Sequence, residues 1–187
     1  MHIQLSDHAL LRPLEESDAE EVFALVEANR DHLSPWLPWA ADQDFERTRN
    51  FLRTTAEKRD RGEAFDCAIV LDGRIVGCAG FPVIEHALVG TIGYWLAKEH
   101  EGRGLVTRAI GALIDHGFGE LGLHRLEIRA AASNARSRAI PERLGFQLEG
   151  VLREAELVGD EYQDLAVYGL VATQMSAVSG PPGARPK

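Results

Sequence analysis

The sequence predicts a mixed α/β domain in which helices flank a largely antiparallel sheet. Two observations support this fold class. Apolar runs of strand length alternate with segments whose apolar residues recur at helical spacing. Asp72-Gly73 separates two of the strand-like runs and marks a tight hairpin, which excludes a purely parallel, doubly wound sheet. Because 187 residues are ample for one buried core, we expect a single domain over residues 1–175.

The first part of the chain predicts one strand and two helices. The strand covers residues 9–14, and Ser17 is a suitable N-cap for a helix over 18–29, because its hydroxyl can accept from the free N–H groups of the first turn. A loop over 31–39 contains two prolines, which prevent a long regular element. The second helix follows over 44–61.

From residue 65 onward strand-like runs dominate, and the first three form an antiparallel group around the Asp72-Gly73 turn. The remaining predicted elements are strands over 65–71, 74–81 and 88–96, a helix over 107–120, a strand over 125–131, a helix over 135–144, and two strands over 147–158 and 161–171. Residues 176–187 contain three prolines and two glycines, and we expect a disordered tail there.

Composition narrows the classes of function. The chain has 20 Lys and Arg against 29 Asp and Glu, a net charge of −9, and no basic run, which argues against a nucleic-acid-binding protein. Cys67 and Cys78 lie in apolar runs without disulfide or zinc spacing, and the histidines show no metal spacing. No signal peptide is evident, and no apolar run reaches the roughly 18–20 residues of a membrane span. We therefore expect a cytoplasmic protein without a bound metal.

A glycine-rich turn between a predicted strand and a predicted helix is the first candidate binding feature. It comprises Gly102, Arg103, Gly104, Leu105, Val106 and Thr107. Such a turn presents bare backbone N–H groups, and the helix dipole adds partial positive charge, so it suits a pyrophosphate. Arg103 or Arg108 can add a charge-assisted contact. Taken alone, a Gly-x-Gly pattern favours an ordinary turn, so the functional interpretation depends on a second segment.

The second segment follows the next predicted strand. It contains Asn134-Ala135-Arg136-Ser137-Arg138, a short helical run, and residues 144–150. With the glycine turn and the earlier His32-Leu33-x-x-Trp36-x-x-Trp39, it resembles the Gcn5-related N-acetyltransferase superfamily, and more closely the branch that acetylates the N-termini of ribosomal proteins. In that branch the turn often reads Gln-Gly-x-Gly-hydrophobic-hydrophobic-Ser/Thr, which residues 102–107 follow well. The resemblance covers residues 9–171.

The resemblance implies acyl transfer from acetyl-CoA to an amine. It implies that the strand ending in Trp95 and Leu96 splays from the next strand and offers backbone groups to the pantetheine arm and the thioester oxygen. The side chain of Trp95 fits core packing as well as it fits a site. Asn134 would bind pantetheine by resemblance, whereas the simple interpretation is a cap on the helix that follows it.

The chain departs from the superfamily pattern at two places. The phosphate motif Gln/Arg-x-x-Gly-x-Gly/Ala falls on Glu101, Gly104 and Val106, so only the central glycine fits. We expect the Glu101 side chain to point away, since an acid facing a pyrophosphate is repelled. Many members outside the branch place a tyrosine, as the acid toward the leaving thiolate, where this chain has Pro141. Ser137 is expected to take over that role, and a late start or a break of the short helix would accommodate the proline.

Glu156 is the candidate general base, because it matches the catalytic glutamate of the ribosomal-protein branch. Strand alternation puts Glu154 and Glu156 on the same face, so the sequence pattern alone does not separate them. A carboxylate beside a cleft gains a raised pKa that suits proton removal. The alternative is a pair of solvated strand carboxylates that pair with Arg153 or Arg129.

Trp36 and Trp39 are the candidate acceptor-binding residues. They lie in a proline-rich loop, where exposed aromatic side chains often line a recognition groove. Packing of the loop against the sheet is the alternative interpretation.

Three hypotheses for function follow. The leading one is an acetyl-CoA-dependent N-acetyltransferase that acts on a protein or peptide N-terminal α-amine by direct transfer, since no cysteine lies in the proposed site. The second is acetylation of a small-molecule amine such as a polyamine, an amino acid or an antibiotic. The third is a coenzyme A-binding sensor without turnover. The branch commonly forms homodimers, so we expect a homodimer.

Overall fold

The structure, a computed structural model, describes residues 2–174, and one sheet of eight strands runs through them. The strands are β1 (Ile3–Ser6), β2 (Ala9–Pro13), β3 (Ala64–Leu71), β4 (Arg74–Ile84), β5 (Val89–Leu96), β6 (Arg125–Ala131), β7 (Gln147–Val158) and β8 (Glu161–Val171). The helices are α1 (Ala19–Ala28), α2 (Arg30–Leu33), α3 (Phe45–Asp60), α4 (Leu105–Gly119) and α5 (Ala135–Arg143). The predicted mixed α/β fold with a mostly antiparallel sheet is confirmed.

The strand order is β1-β2-β3-β4-β5-β6-β8-β7, and β5 with β6 is the one parallel pair among the described residues. A parallel pair needs a crossover, and α4 supplies it. The carboxyl ends of β5 and β6 consequently lie at the same edge of the sheet. The turn before α4 and the start of α5 follow these two strand ends directly.

The sheet buries apolar side chains on both faces. On β3, Ile69 belongs to a core that α4 covers, whereas its neighbour Val70 belongs to a core that α1 and α3 cover. Ile110 of α4 is fully buried in the first core, and Leu52 of α3 is fully buried in the second. Strand β5 also lies between the two cores, because Ile92 and Leu96 belong to the first and Trp95 packs against the second.

Several predicted boundaries need correction. Strand β1 was not predicted, because it is only four residues long and half of its side chains are exposed. Ser17 is not the cap of α1. A short 3₁₀ turn precedes that helix, and the Asp18 carboxylate accepts from the Glu15 N–H at 2.9 Å and pairs with Arg12.

Two helix predictions near the candidate site also differ from the structure. Helix α4 begins at Leu105, not at residue 107, because Gly104 serves as its N-cap with φ +70°. Pro141 lies inside α5, which neither starts late nor breaks at the proline.

The predicted tail over residues 176–187 lies outside the described residues. In the part of the chain that the structure describes, every helix is too short or too polar to cross a membrane.

Candidate active site

A gap opens in the sheet where β5 and β6 part. The two strands pair only up to Ile92 and Ile128, although β5 continues to Leu96 and β6 continues to Ala131. Within residues 2–174, no strand pairs with this side of β5 beyond Ile92. Backbone N–H and C=O groups of β5 therefore face the gap, and the predicted splay of this strand is present.

The glycine turn lies beyond the end of β5 and begins α4. Gly102 and Gly104 adopt φ of +74° and +70°, a left-handed conformation that side chains rarely tolerate. The side chains of Leu105 and Val106 are buried in the core, so these two residues can offer a ligand only their backbone. The first N–H groups of the helix have no acceptor within it, as an anion site requires.

The side chains around this turn are mostly basic. Arg103 is exposed, and the Arg108 guanidinium extends back toward Gly104. The Arg143 guanidinium of α5 donates to Thr107 Oγ1 at 3.2 Å, so it links the end of α5 to the first turn of α4. These cations add to the partial positive charge of the helix start.

Glu101, the acid beside the turn, is itself paired with basic groups. Its carboxylate accepts from Arg136 Nη1 at 2.5 Å, and it lies 3.3 Å from His32 Nε2. The expectation that its side chain avoids a bound phosphate stays a prediction. The structure adds that Glu101 joins the start of α5 to the proline-rich loop region, through Arg136 on one side and His32 on the other.

Asn134 and Ser137 form the start of α5, directly after β6. Asn134 Oδ1 accepts from the Ser137 N–H at 3.0 Å, so the capping interpretation of Asn134 is confirmed. The predicted contact of Asn134 with pantetheine stays a prediction, for which its Nδ2 group is the available donor.

Tyr94 contacts Ser137 across the gap and was missed as a functional candidate. Its hydroxyl lies 2.9 Å from Ser137 Oγ and 3.0 Å from the Ser137 carbonyl oxygen. Burial raises the pKa of Tyr94 to about 12, so the phenol stays protonated at neutral pH. Alternation along β5 places Tyr94 on the face that α4 covers. This alternation is the sequence pattern from which Tyr94 could have been identified as a candidate.

Glu156 lies beside an irregularity in β7. Three residues of β7, centred on Glu154, oppose the single residue Asp164 of β8, and Glu154 has φ +49°. The Glu154 N–H donates to Asp164 Oδ1 at 2.8 Å. The regular alternation that put both glutamates on one face is therefore wrong. Glu154 is exposed, whereas Glu156 is half-buried, and burial raises its pKa.

The suggested ion pairs of these glutamates with nearby arginines are absent from the described residues. Arg129 donates instead to Glu127 at 2.7 Å. The cross-strand neighbour of Glu156 is Gln163, a neutral side chain. Glu156 therefore has no cation holding its pKa down, and burial is the cause of the upward shift.

The proline-rich loop packs against the sheet close to Glu156. Gln163, which faces Glu156 across β7 and β8, donates through Nε2 to the Pro35 carbonyl at 3.1 Å. Trp39 meets Trp95 edge-to-face with ring centroids 6.2 Å apart, and 39% of Trp39 is exposed. Trp36 is half-buried. The loop thus packs against the sheet, with a contribution from the Trp95 side chain, and keeps part of the Trp39 ring exposed to solvent.

The two thiols lie away from the gap. Cys67 of β3 and Cys78 of β4 are in the strand pair on the other side of β5, and burial raises the pKa of both, that of Cys67 to about 12. Among residues 2–174, no three His, Cys, Asp or Glu side chains are grouped in a way that could hold a metal ion.

Comparisons with known proteins agree with this geometry. A family model described as Acetyltransferase (GNAT) domain matches residues 8–147. The ribosomal-protein-serine acetyltransferase of Escherichia coli (strain K12) is 30% identical over 171 residues, 90% of this chain and 96% of that protein. The spermidine N(1)-acetyltransferase of the same strain is 25% identical over 174 residues, 92% of this chain and 91% of that protein.

A solved acetyltransferase structure is also similar to this chain. RimL, the ribosomal L7/L12 alpha-N-protein acetyltransferase in complex with coenzyme A, matches with a TM-score of 0.87 and 26% identity. The match covers 91% of this chain and 98% of that one. The family model spans well over half of the sequence, including the glycine turn, the splayed strand and the capped start of α5. The chain therefore belongs to the GNAT acetyltransferase family and is an N-acetyltransferase.

Proposed function

We propose that the protein transfers the acetyl group of acetyl-CoA to the N-terminal α-amine of a protein of the ribosomal type. The observation that carries this proposal is the 30% identity, over 90% of the chain, to a ribosomal-protein-serine acetyltransferase. The gap between β5 and β6, with a helix start at its mouth, supports it.

Acetyl-CoA would lie in the gap. The unpaired side of β5, at Trp95 and Leu96, would hydrogen-bond the amides of the pantetheine arm as an added strand does. The backbone from Gly102 to Thr107 would hold the pyrophosphate, with Arg103 as a charged partner. Asn134 would donate to pantetheine from the other side of the gap.

The chemistry needs a base, an oxyanion donor and a group that stabilises the departing sulfur. Glu156 would take the proton of the acceptor ammonium, directly or through a water, and its raised pKa suits a base near neutral pH. A β5 backbone N–H would polarise the thioester oxygen. Ser137 would donate a hydrogen bond to the thiolate. Transfer would be direct, because the raised pKa keeps both thiols protonated and they lie on the other side of β5 from the gap.

The acceptor would enter beside the proline-rich loop. Gln163, the cross-strand neighbour of Glu156, holds the loop at Pro35, and Trp36 and Trp39 follow Pro35 on that loop. An amine that reaches Glu156 would pass these side chains. The partly exposed ring of Trp39 supplies an apolar contact for the first residues of a peptide.

The second candidate is acetylation of a small polyamine, which the 25% identity to a spermidine acetyltransferase favours. The net charge of −9 is compatible with a cationic acceptor of either kind. A sensor that binds coenzyme A without turnover is the third possibility, and the test below also addresses it.

The test is release of coenzyme A thiol from acetyl-CoA in the presence of a panel of amines. The panel contains peptides that begin with Ser or Ala, spermidine, free amino acids and aminoglycosides. Thiol release with the peptides alone supports the proposal, and release with spermidine alone moves the assignment to the second candidate. Coenzyme A binding without release for any amine contradicts turnover and favours the sensor.

We further propose a cytoplasmic homodimer joined through β7. This strand is the outer edge of the sheet, is twelve residues long, and exposes Leu148, Val151 and Leu152 by 45–50% each. Long exposed apolar edges are rare in proteins unless something covers them, and a second copy can pair with the edge about a two-fold axis. Sedimentation should show a dimer for the natural protein and a monomer for Val151→Lys. Phe51→Lys on α3, an equally exposed position, is the matched control and should remain a dimer.

A further inference from the structure

Pro141 leaves one carbonyl group inside α5 without its usual donor. In an α-helix the N–H of residue 141 bonds to the carbonyl of residue 137, and proline has no N–H. The carbonyl left free is that of Ser137, the residue proposed to stabilise the thiolate. The Tyr94 hydroxyl lies 3.0 Å from it and supplies the missing donor.

The same hydroxyl also contacts the Ser137 side chain, at 2.9 Å from Oγ. Tyr94 has one hydroxyl proton, and a carbonyl oxygen can only accept. The Tyr94 proton lies between the Ser137 carbonyl and Oγ, both of which can accept it, and the Ser137 proton then stays free for the sulfur. The two hydrogen bonds together fix the Ser137 rotamer, and Asn134 fixes its backbone N–H at 3.0 Å.

We propose that Tyr94 is a positioning residue that aims the Ser137 hydroxyl at the sulfur of coenzyme A, through a contact that Pro141 makes possible. This inference rests on the proposed function. It adds Tyr94 to the residues that serve the reaction, and it gives a structural reason for the proline at position 141. The tyrosine that many relatives place at the position of Pro141 is replaced here by one on a strand.

The hydrogen bonds change in one step while the thioester bond breaks. The neutral acceptor amine, whose ammonium proton Glu156 has already taken, bonds through nitrogen to the carbonyl carbon and passes its surplus proton to solvent. The carbon–sulfur bond breaks, and its electron pair stays on sulfur. Ser137 Oγ–H donates to the thiolate, while Tyr94 keeps its own proton and continues to donate it to Ser137. The thiolate leaves as a hydrogen-bonded anion and takes its proton from solvent on release. Burial holds the Tyr94 pKa near 12, so Tyr94 does not ionise during this step.

A double-mutant cycle on Tyr94 and Ser137 tests the inference. Tyr94→Phe should lower kcat about tenfold, as expected for one lost hydrogen bond in the transition state, and leave KM for acetyl-CoA unchanged. In a Ser137→Ala background, Tyr94→Phe should have no further effect, because Tyr94 acts only through Ser137. An equal loss in both backgrounds, or no loss in either, overturns the proposal. Tyr162→Phe, on an exposed tyrosine of β8, is the matched control.

A second measurement needs no turnover, so it separates failure of this inference from failure of the proposed function. The thiol of bound coenzyme A is titrated by its thiolate absorbance in the natural protein and in Tyr94→Phe. We expect the thiol pKa to be about one unit higher in the variant, because the thiolate loses its aimed donor. An unchanged thiol pKa contradicts the positioning role whatever the acceptor is.

Pro141→Ala offers a third test at the level of the backbone. Alanine restores the helix N–H, which then competes with Tyr94 for the Ser137 carbonyl. We expect a lower kcat in a protein whose melting temperature is unchanged or raised. Retention of full kcat would show that the carbonyl contact has no part in aiming Ser137.

Discussion

The segments proposed to bind the coenzyme and those proposed to bind the acceptor are held by different kinds of contact. On the coenzyme side, Asn134 caps Ser137 three residues away, and the Arg108 N–H bonds to the Gly104 carbonyl within one helical turn. On the acceptor side, Gln163 reaches Pro35 across 128 residues of sequence. The proposed coenzyme site thus takes most of its groups from the backbone of short segments, which Tyr94 and Arg143 link, whereas the proposed acceptor site depends on contacts between segments distant in sequence.

This difference explains why the co-substrate is easier to infer than the acceptor. A helix start with glycines binds an anion in nearly any fold, because its donors are backbone groups. A groove between a loop and a hairpin depends on how both segments pack, and small changes there alter which amine fits. Variants on the two sides should therefore separate coenzyme affinity from acceptor affinity.

The largest effect is expected at Glu156, the proposed base. Glu156→Gln should lower kcat at least about 100-fold, because the acceptor ammonium then has no base, while coenzyme A binding is retained. Steady-state kinetics and a coenzyme titration measure the two quantities. Glu154→Gln removes an exposed carboxylate on the same strand and should leave kcat nearly unchanged. A loss at Glu154 in place of Glu156 would reverse the assignment of the base.

The pH dependence of kcat gives a second test of Glu156 as the base. Glu156 works as a base only when ionised, and burial raises its pKa. Activity should therefore fall as the pH drops through this raised pKa, about tenfold per unit below it, at a higher pH than an ordinary glutamate would give. A profile of kcat against pH between roughly 4 and 9, which spans glutamate and amine titration, measures this acid limb. An acid limb at the usual pKa of an exposed glutamate would contradict a half-buried base.

An intermediate effect is expected at the glycine turn. Gly104→Ala forces a side chain into a left-handed conformation at about 1–2 kcal/mol and places its Cβ 3.1 Å from Arg108 Nη1. Coenzyme A binding should weaken about 5–10-fold, since the turn must shift, and KM for the acceptor should not change. Gly62→Ala, at φ +74° beyond the end of α3, is the matched control. It should lower the melting temperature similarly without affecting coenzyme affinity.

The smallest effect is expected on the acceptor side. Gln163→Leu keeps the side-chain size but removes the donor to the Pro35 carbonyl, so the loop is held less firmly. KM for the acceptor should rise about threefold to tenfold, as for one lost hydrogen bond, with KM for acetyl-CoA unchanged. Gln147→Leu makes the same change at the other end of the β7–β8 pair. Equal effects of the two variants would show that the loop contact has no role in acceptor binding.

Local sequence patterns determined much of the fold. Strands β6, β7 and β8 have the predicted bounds, and the Gly159-Asp160 turn separates the last two. The glycine turn and the Asn134 cap were also evident, since each depends on the conformation of a few adjacent residues. Strand β1 and the 3₁₀ turn before α1 were missed, because both are short and depend on neighbours for their stability.

The sequence by itself therefore determined the fold class, the helix start that faces the gap, and the residues from which a base and a thiolate donor can be drawn. Only the tertiary structure decided which glutamate is half-buried, because the irregularity at Glu154 breaks the alternation on which the pattern relied. Only the tertiary structure shows that Tyr94 contacts Ser137, forty-three residues away, and that Gln163 contacts Pro35. The physical reason is that backbone conformation responds to adjacent residues, whereas contacts between side chains depend on how distant elements pack.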